Sequence, residues 1–547
     1  MKVKSKPKGK EQMAKGNRDR PDFFREFYRS TRHISQVRET INNPAAACLL
    51  PPANCLLLSA FCLLLFACAC TPGPKYARPA VPTPPAFKEL GPNAGGPPSQ
   101  WSASQPADGV IKGKWWEIFN DPQLNALEER VDVSNQNLKI AEAQFRQARD
   151  TIRIDRAGLY PTISSGPYIN AEQFSKNAPN PTGKAGQTQG DFVLPFDLSY
   201  EVDAWGRIHL TVQAATANAQ ASAADLETAR LSIHAELAAD YFMLRGLDAQ
   251  KQLLESTVVQ YQKALELTTN RYNGGLAAKV EVTQAETQLE ATQAQAIDVG
   301  VQRAQFEHAI AALVGQPAST FSIPVSPLAA PPPTIPVGVP SDLLQRRPDI
   351  AAAERRVAAA NAEIGIAKTA YYPTLTLSAA AGLEGGSITD WFAWPSHFFA
   401  VGPQLLETLY DAGRRHAYND QAWAVYDANV AAYRQNVLTA FQEVEDNLSG
   451  LRILDQEARK QDEAVQSAEH SLALSTNRYR GGLVTYLEVT TAQSTALSNE
   501  VTAVNILTRR MNSTVLLIKA LGGGWDVSKL PQLTGQGGSP AKGETRN

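Results

Sequence analysis

A chain of 547 residues with 43% hydrophobic residues is long enough for several domains or one large duplicated architecture, and too apolar for wholesale disorder. Its near balance of 52 Lys/Arg against 54 Asp/Glu hides a split: residues 1–69 hold 12 basic and 5 acidic side chains, the remainder 40 and 49. A net acidic body excludes a nucleic-acid-wrapping surface, which needs basic charge.

All five cysteines, Cys48, Cys55, Cys62, Cys68 and Cys70, precede residue 71. The following 477 residues therefore hold no disulfide, thiolate metal site or cysteine nucleophile. Leu56 to Ala69 is an apolar run of 14 residues, too short for a membrane-spanning helix and suited to a signal-peptide core. Small residues then lead into cysteine in LLLFACAC, the form of a bacterial lipoprotein cleavage site. Acyl chains on the new N-terminal cysteine would anchor the chain at about 0.8 kcal/mol per buried CH₂. Leu65, three residues before Cys68, favours Cys68 on local pattern, with Cys70 the other candidate. A plain secretory signal with incidental cysteines is the alternative.

Residues 71–100, rich in proline and glycine, are predicted as an extended tether. Asp121 before Pro122 predicts an N-capped helix running to about Ile154. A Tyr160-Pro161 break follows, then strands. In FVLPFDLSYEVD, Phe192, Leu194, Phe196, Leu198, Tyr200 and Val202 fall on one face, and Val193, Pro195, Asp197, Ser199, Glu201 and Asp203 on the other. Strict alternation over about 11 residues matches the length of a transmembrane β-strand. TLTLSAAAGL, Thr374 to Leu383, alternates likewise, and weaker strands are predicted near Thr162–Phe174 and Phe399–Leu409. A half-buried sheet in a soluble protein is the competing reading of any one such strand.

No proline occurs between Pro195 and Pro317, or between Pro403 and Pro531, and both intervals are rich in Ala, Gln, Glu and Leu. Arg207 to Asn270 as one helix would be about 95 Å long. TTNRYNGGLAAKVEV (Thr268–Val282) and STNRYRGGLVTYLEV (Ser475–Val489) then sit near the middle of these regions, 207 residues apart (478 − 271). Paired glycines reverse a helix, so each half is predicted to hold a long antiparallel helical hairpin with this phrase at its tip. A proline-rich stretch from 317 to 340 separates the halves, and Pro348 starts another helix.

Two strands per half give four per chain, too few to close a membrane barrel. Two chains would pool eight and three would pool twelve, and the hairpins would continue the barrel as a helical tube. The phrases CTPGPKYARP (Cys70–Pro79), WWEIFNDPQL (Trp115–Leu124), NQNLKIAEA (Asn135–Ala143), PSDLLQRRPDIAAAERRVAAANAEIGIAK (Pro340–Lys368), YDAGRRHA (Tyr410–Ala417) and both RYxGGL turns resemble, in family order, the TolC/OprM-type outer membrane factors. The likeness is to the lipidated NodT-like branch of resistance–nodulation–division efflux systems, and covers about residues 70 to 525.

The resemblance implies an α+β membrane protein: a homotrimer with a 12-stranded outer-membrane β-barrel continued by an α-helical barrel in the periplasm. It implies docking to a periplasmic adaptor (membrane fusion) protein and an inner-membrane resistance–nodulation–division pump, with lipid around the barrel. It selects Cys70 for acylation over Cys68. It assigns the adaptor-contacting tip to Gly274, Gly275, Leu276 and Ala277, and to Gly481, Gly482, Leu483 and Val484. Arg271, Tyr272, Arg478 and Tyr479 would support the tips, and Glu281 and Glu488 would ring the periplasmic gate. Thr491 stands where TolC places an acid, so the gate here would hold fewer acids.

The expected divisions are a 1–69 leader, a 70–113 lipidated tether, a first repeat over 114–316, a linker over 317–340, a second repeat over 341–525 and a flexible tail over 526–547. Trp115, Trp116 and the cluster Arg346, Arg347 and Asp349 read as structural, and Arg207, Arg414 and Arg415 as a strand–helix junction. The seven histidines are scattered without ligand spacing, and no phosphate loop or nucleophile–base motif occurs, so neither enzyme activity nor a metal or cofactor beyond the N-terminal lipid is expected. The leading expectation is thus a passive exit duct for small molecules. A protein-secretion duct is the alternative within that class, and a periplasmic adaptor or coiled-coil scaffold without duplicated strands lies outside it.

Overall fold

The computed structural model describes residues 72–90, 113–173, 175–177, 185–328, 330–335 and 340–533; Cys68 and Cys70, with the acylation expected there, lie outside the described residues. Asp121 caps α1 (Pro122–Ser134), its carboxylate accepting from the N–H groups of Gln123 and Leu124. The single helix expected to Ile154 is two helices. Asn135 takes an extended conformation (ψ 125°), accepts from the Leu138 N–H at 2.9 Å to cap α2 (Gln136–Ala157), and donates to the Leu313 carbonyl at 2.8 Å. One side chain thus starts a helix and fastens it to a segment far along the chain.

The strands are β1 (Thr162–Ser164), β2 (Tyr168–Gln173), β3 (Thr188–Val202), β4 (Thr374–Gly385) and β5 (His397–Leu406). β3 and β4, at 15 and 12 residues, exceed the alternating runs that announced them, whereas β5 lies slightly upstream of its expected span. The strand expected over Thr162–Phe174 is in two pieces, and Phe174 lies outside the described residues. β1 and β2 nevertheless share one antiparallel register along β3, Thr162 opposite Ser199 and Tyr168 opposite Val193. They form one strand interrupted at Pro167, with Ser165 Oγ donating to the Pro195 carbonyl at 2.7 Å across the gap. The antiparallel sheet then runs β3–β4–β5.

Two helices of 67 residues, α3 (Arg207–Asn273) and later α6 (Arg414–Arg480), leave one end of the sheet. Each is about 100 Å long. Their return arms, α4 (Lys279–Leu313) and α7 (Tyr486–Ala520), are 35 residues, so the tips do not halve the helical regions as expected. The sheet-proximal half of each long helix packs instead on α2 or on α5 (Pro348–Thr369), and α5 lies against both α3 and α6. Arg207 grips Glu201 through two bonds of 2.8 and 2.7 Å, and Arg415 holds Asp411 at 2.8 Å, fixing the strand-to-helix junctions.

The largest apolar core gathers near the middle of the long helices, around Trp115, Trp116, Leu124, Tyr241, Tyr433, Ile323 and Ile335. Residues 72–90 are packed rather than loose. Asn361 donates to the Pro74 carbonyl at 2.9 Å, Arg78 to the Tyr433 hydroxyl at 3.2 Å, and Glu445 accepts from the backbone N–H groups of Lys88 and Glu89. Residues 526–533 also fold back: Leu533 packs beside Ile152 and Ala219. Arg347 forks onto Asp349 and reaches Glu443 at 2.6 Å, the structural cluster its position suggested.

Candidate functional site: the hairpin tips and the outer face of the sheet

Each RYxGGL phrase closes a helix by the same two bonds. Leu276 N–H donates to the Arg271 carbonyl at 2.8 Å and Gly275 N–H to Tyr272 at 2.9 Å; Leu483 and Gly482 repeat this with Arg478 and Tyr479 at 2.9 and 3.0 Å. This is the Schellman pattern, which needs a left-handed residue after the helix. Only the second glycine of each pair supplies it: Gly275 has φ 75° and Gly482 φ 71°, whereas Gly274 and Gly481 are right-handed at −81° and −74°. The turn presents Leu276 and Leu483 to the surroundings, 73% and 75% exposed. Ala277 and Val484 are half-buried beneath them.

The supporting residues do not act as matched pairs. Tyr479 is 2% exposed and packs edge-on to Tyr486 at 5.2 Å, whereas Tyr272 is 41% exposed. Arg271 crosses from the first hairpin to the second, donating to the Arg480 carbonyl at 3.1 Å with its guanidinium 4.8 Å from the Tyr479 ring centroid. Arg478 stays within its own hairpin and pairs with Glu488 at 2.6 Å. Glu281 instead accepts from the Tyr479 hydroxyl at 2.9 Å, across the hairpins. Burial, reinforced by that carboxylate, pushes the Tyr479 phenol up. The two glutamates, at matching positions of the repeat, therefore meet different partners.

On the sheet, the register aligns one apolar belt across all strands. Ile163 faces Leu198; Phe196 faces Ala381, which faces Phe399; Leu194 faces Leu383; Leu377 faces Pro403. Many of these are exposed, among them Ile163, Phe196, Leu377, Phe399, Val401 and Leu405. Aromatic rings gather at both ends: Tyr160, Trp205, Tyr371 and Tyr372 by the helices, and Trp391, Phe392 and Trp394 at the far end. Apolar bands flanked by aromatic girdles are the pattern of strands that cross lipid. Among the described residues no helix is long and apolar enough to cross a membrane.

Two arrangements escaped the sequence reading. Arg245-Gly-Leu-Asp248 and Arg452-Ile-Leu-Asp455 stand 207 residues apart, as do Arg303 and Arg510. In the first half, buried Asp248 takes Arg245 at 3.1 Å and Arg303 at 2.7 Å, and these arginines hold the carbonyls of Pro324 and Ile323 in the proline-rich linker. In the second, Arg510 takes Asp455 at 3.0 Å while Arg452 holds Glu89 of the N-terminal segment at 2.7 Å. The repeated R-x-L-D was a signal for this. The other is His234, buried between Glu128 at 2.6 Å and Asp132 at 3.3 Å and stacked on Trp116 at 4.5 Å. Burial alone would lower its pKa, but its bonds to the two carboxylates outweigh that and hold it at about 9.

Residues 127–316 and 339–523 match the outer membrane efflux protein family. The pyoverdine export outer membrane protein OpmQ of Pseudomonas aeruginosa is 31% identical over 436 residues, 78% of this chain and 91% of that protein. The solvent efflux pump outer membrane protein SrpC of Pseudomonas putida is 31% identical over 461 residues, 84% of this chain and 96% of its own length. Among solved structures, the outer-membrane channel OprN superposes with a TM-score of 0.76 at 28% identity, covering 83% of this chain and all of that one. The outer membrane protein VceC of Vibrio cholerae gives 0.70 at 30% identity, covering 76% of this chain and 98% of its own. These matches, with the duplicated strands, exclude the adaptor and scaffold readings. The chain belongs to the outer membrane efflux protein family and is an efflux duct of a Gram-negative outer membrane.

Proposed function

We propose that three copies of the chain close one 12-stranded barrel, continue it as a helical tube, and pass small molecules outward when docked to a periplasmic adaptor and an inner-membrane resistance–nodulation–division pump. The observation that carries this is the open sheet. β1/β2 at one edge and β5 at the other each pair with a single strand position among the described residues, yet the apolar belt runs across both. An open edge in lipid leaves backbone groups unpaired at several kcal/mol each, and four strand positions taken three times give an allowed closed number.

At the tips, exposed Leu276 and Leu483 offer an adaptor two apolar contacts per chain. Gly274 and Gly481, whose backbone needs no glycine, leave room for close approach by a partner helix. Glu281 and Glu488, with Tyr479 and Arg478, form the gate of the closed mouth. The lipid anchor is Cys70. Its support is Gly73, whose Cβ, if present, would stand 3.1 Å from the Gly365 Cα, about one turn before α5 ends at the sheet. Three residues of chain span at most about 10 Å, so an acyl group on Cys70 would reach the level of the Trp205–Tyr372 girdle.

Membrane fractionation and planar-bilayer recording test the proposal together. Heat-modifiable trimers in the outer-membrane fraction, with single channels in bilayers, are expected; soluble monomers would refute it. Mass spectrometry of the mature N-terminal peptide checks the anchor, and an unacylated N-terminus would remove it.

A further inference from the structure

The chain is duplicated in strand register as well as in sequence. Thr162 and Thr374 each follow a Tyr-Pro pair and open the first strand of their half. Thr162 faces Ser199, and Thr374 faces Leu406, which lies 207 residues after Ser199, the offset that relates the two tips. Tyr168 faces Val193, and their counterparts Ala380 and Ala400 face each other too. The hairpins β1/β2–β3 and β4–β5 thus correspond residue for residue. Between them lies one seam, β3 against β4, with Leu194 opposite Leu383 and Val202 opposite Leu375.

The helices repeat this layout. α2 and α5 are both 22 residues long and both precede a Tyr-Pro pair. α5, enclosed between α3 and α6, buries 14 residues; α2, packed on α3, buries 2 and leaves Ile140 and Ile154 bare. The bare side of α2 and the free edge of β1/β2 belong to the same flank of the chain, and α6 and β5 to the opposite flank.

We infer that the seam between two copies repeats the seam within one. β5 of one copy pairs antiparallel with β2 of the next, and the residues just after β5 with β1, in the register obtained by moving β3 forward 207 residues and β4 back 212. Leu194 opposite Leu383 becomes Val401 opposite Ala171 of the partner subunit. Val202 opposite Leu375 becomes Leu409 opposite the partner's Ile163, and Phe192 opposite Gly385 becomes Phe399 opposite the partner's Gln173. Face parity agrees independently. Val401 lies beside Ala379 and Ile163 beside Leu198, so both belong to the apolar belt, as does Ala171, two positions from Ile169. A one-residue slip would set Val401 against Asn170 or Glu172, whose side chains point to the other face. Parity leaves this register and those two residues away; the duplication selects among them.

The inference rests on the pooled barrel proposed above, and crosslinking separates the two. No cysteine follows Cys70, so introduced pairs report cleanly against single-cysteine controls. Adjacent ladder pairs alternate between hydrogen-bonded and closer non-hydrogen-bonded types, so two matched pairs are needed: Val401→Cys with Ala171→Cys, and Ala400→Cys with Glu172→Cys. The shifted pairs are Val401→Cys with Ile169→Cys, and Val401→Cys with Gln173→Cys. Oxidation in outer membranes should give dimers and trimers that survive boiling in detergent from at least one matched pair, several-fold more than from either shifted pair. Preferential crosslinking by a shifted pair, or by none in protein that still runs as a trimer, overturns the register. Monomers from every variant and from the single-cysteine controls overturn the pooled barrel itself.

Discussion

The Tyr479 hydroxyl donates to the Glu281 carboxylate at 2.9 Å, bonding the second hairpin tip to the first. A hydrogen bond to a charged acceptor contributes about 1.5–3 kcal/mol. The matching carboxylate, Glu488, makes no such crossing, because Arg478 of its own hairpin pairs with it. Tyr479→Phe and Glu281→Gln should therefore each raise closed-state conductance in planar bilayers, and Glu488→Gln should raise it less. Equal changes in the three variants, or none, would sink this division of labour at the gate.

The two glycines of each tip should separate in the same way. Alanine at Gly275 or Gly482 forces a left-handed L-residue, costing on the order of 1–2 kcal/mol locally. Alanine at Gly274 would place its Cβ 3.4 Å from the Asn270 carbonyl oxygen, an ordinary contact. Limited proteolysis at the tip should thus accelerate in Gly275→Ala and Gly482→Ala but not in Gly274→Ala. If Gly274→Ala keeps the proteolytic pattern while weakening co-purification with the adaptor, its glycine serves the partner; unchanged co-purification would argue against a seat there.

These tips show what the sequence could and could not reveal. Paired glycines within proline-free helical runs, and strict alternation in β3 and β4, are local patterns, and each produced its element. The Asn135 break was missed because its cause is the distant Leu313 carbonyl. The difference between Tyr272 and Tyr479 was hidden for a related reason: both follow an arginine in the same phrase, but only one side of each tip meets the other hairpin. His234 read as a scattered histidine because its carboxylates lie about a hundred positions upstream, on α1.

The duplicated R-x-L-D clusters offer a comparison within one chain. Asp248 is fully buried between Arg245 and Arg303, and removing it leaves Arg245 without its carboxylate and Arg303 with Glu307 alone. Breaking a buried pair in this way typically costs about 3–5 kcal/mol, whereas an exposed pair is worth about 1 kcal/mol or less. Asp455, its counterpart, has a side chain 43% exposed. Asp248→Ala should lower the thermal midpoint clearly and loosen the linker near Pro324, and Asp455→Ala should barely move it. Similar shifts in both variants would contradict the assignment.

The buried histidine makes stability depend on pH. His234 ordinarily would titrate at 6.5, but in the folded chain Asp132 and Glu128 hold its pKa at about 9 against the opposing effect of burial. The folded state therefore binds this proton more tightly than the unfolded state. The stabilisation is complete below 6.5 and disappears as pH rises through about 9. A shift of that size corresponds to on the order of 3 kcal/mol. Around the ring stand Glu128 and Asp132, with Arg230 3.4 Å from Asp132 and Lys114 paired to Glu129 on the same helix face. Burial pushes the Glu128 carboxyl up to about 7 against the pull of His234, so the buried pair carries both charges only between about pH 7 and 9. His234→Gln should consequently lower Tm most at about pH 6, and the gap to wild type should narrow between about pH 7 and 10, a range in which lysine and tyrosine titrations affect both proteins alike. A gap that stays constant across that range would show that His234 is not charged in the fold.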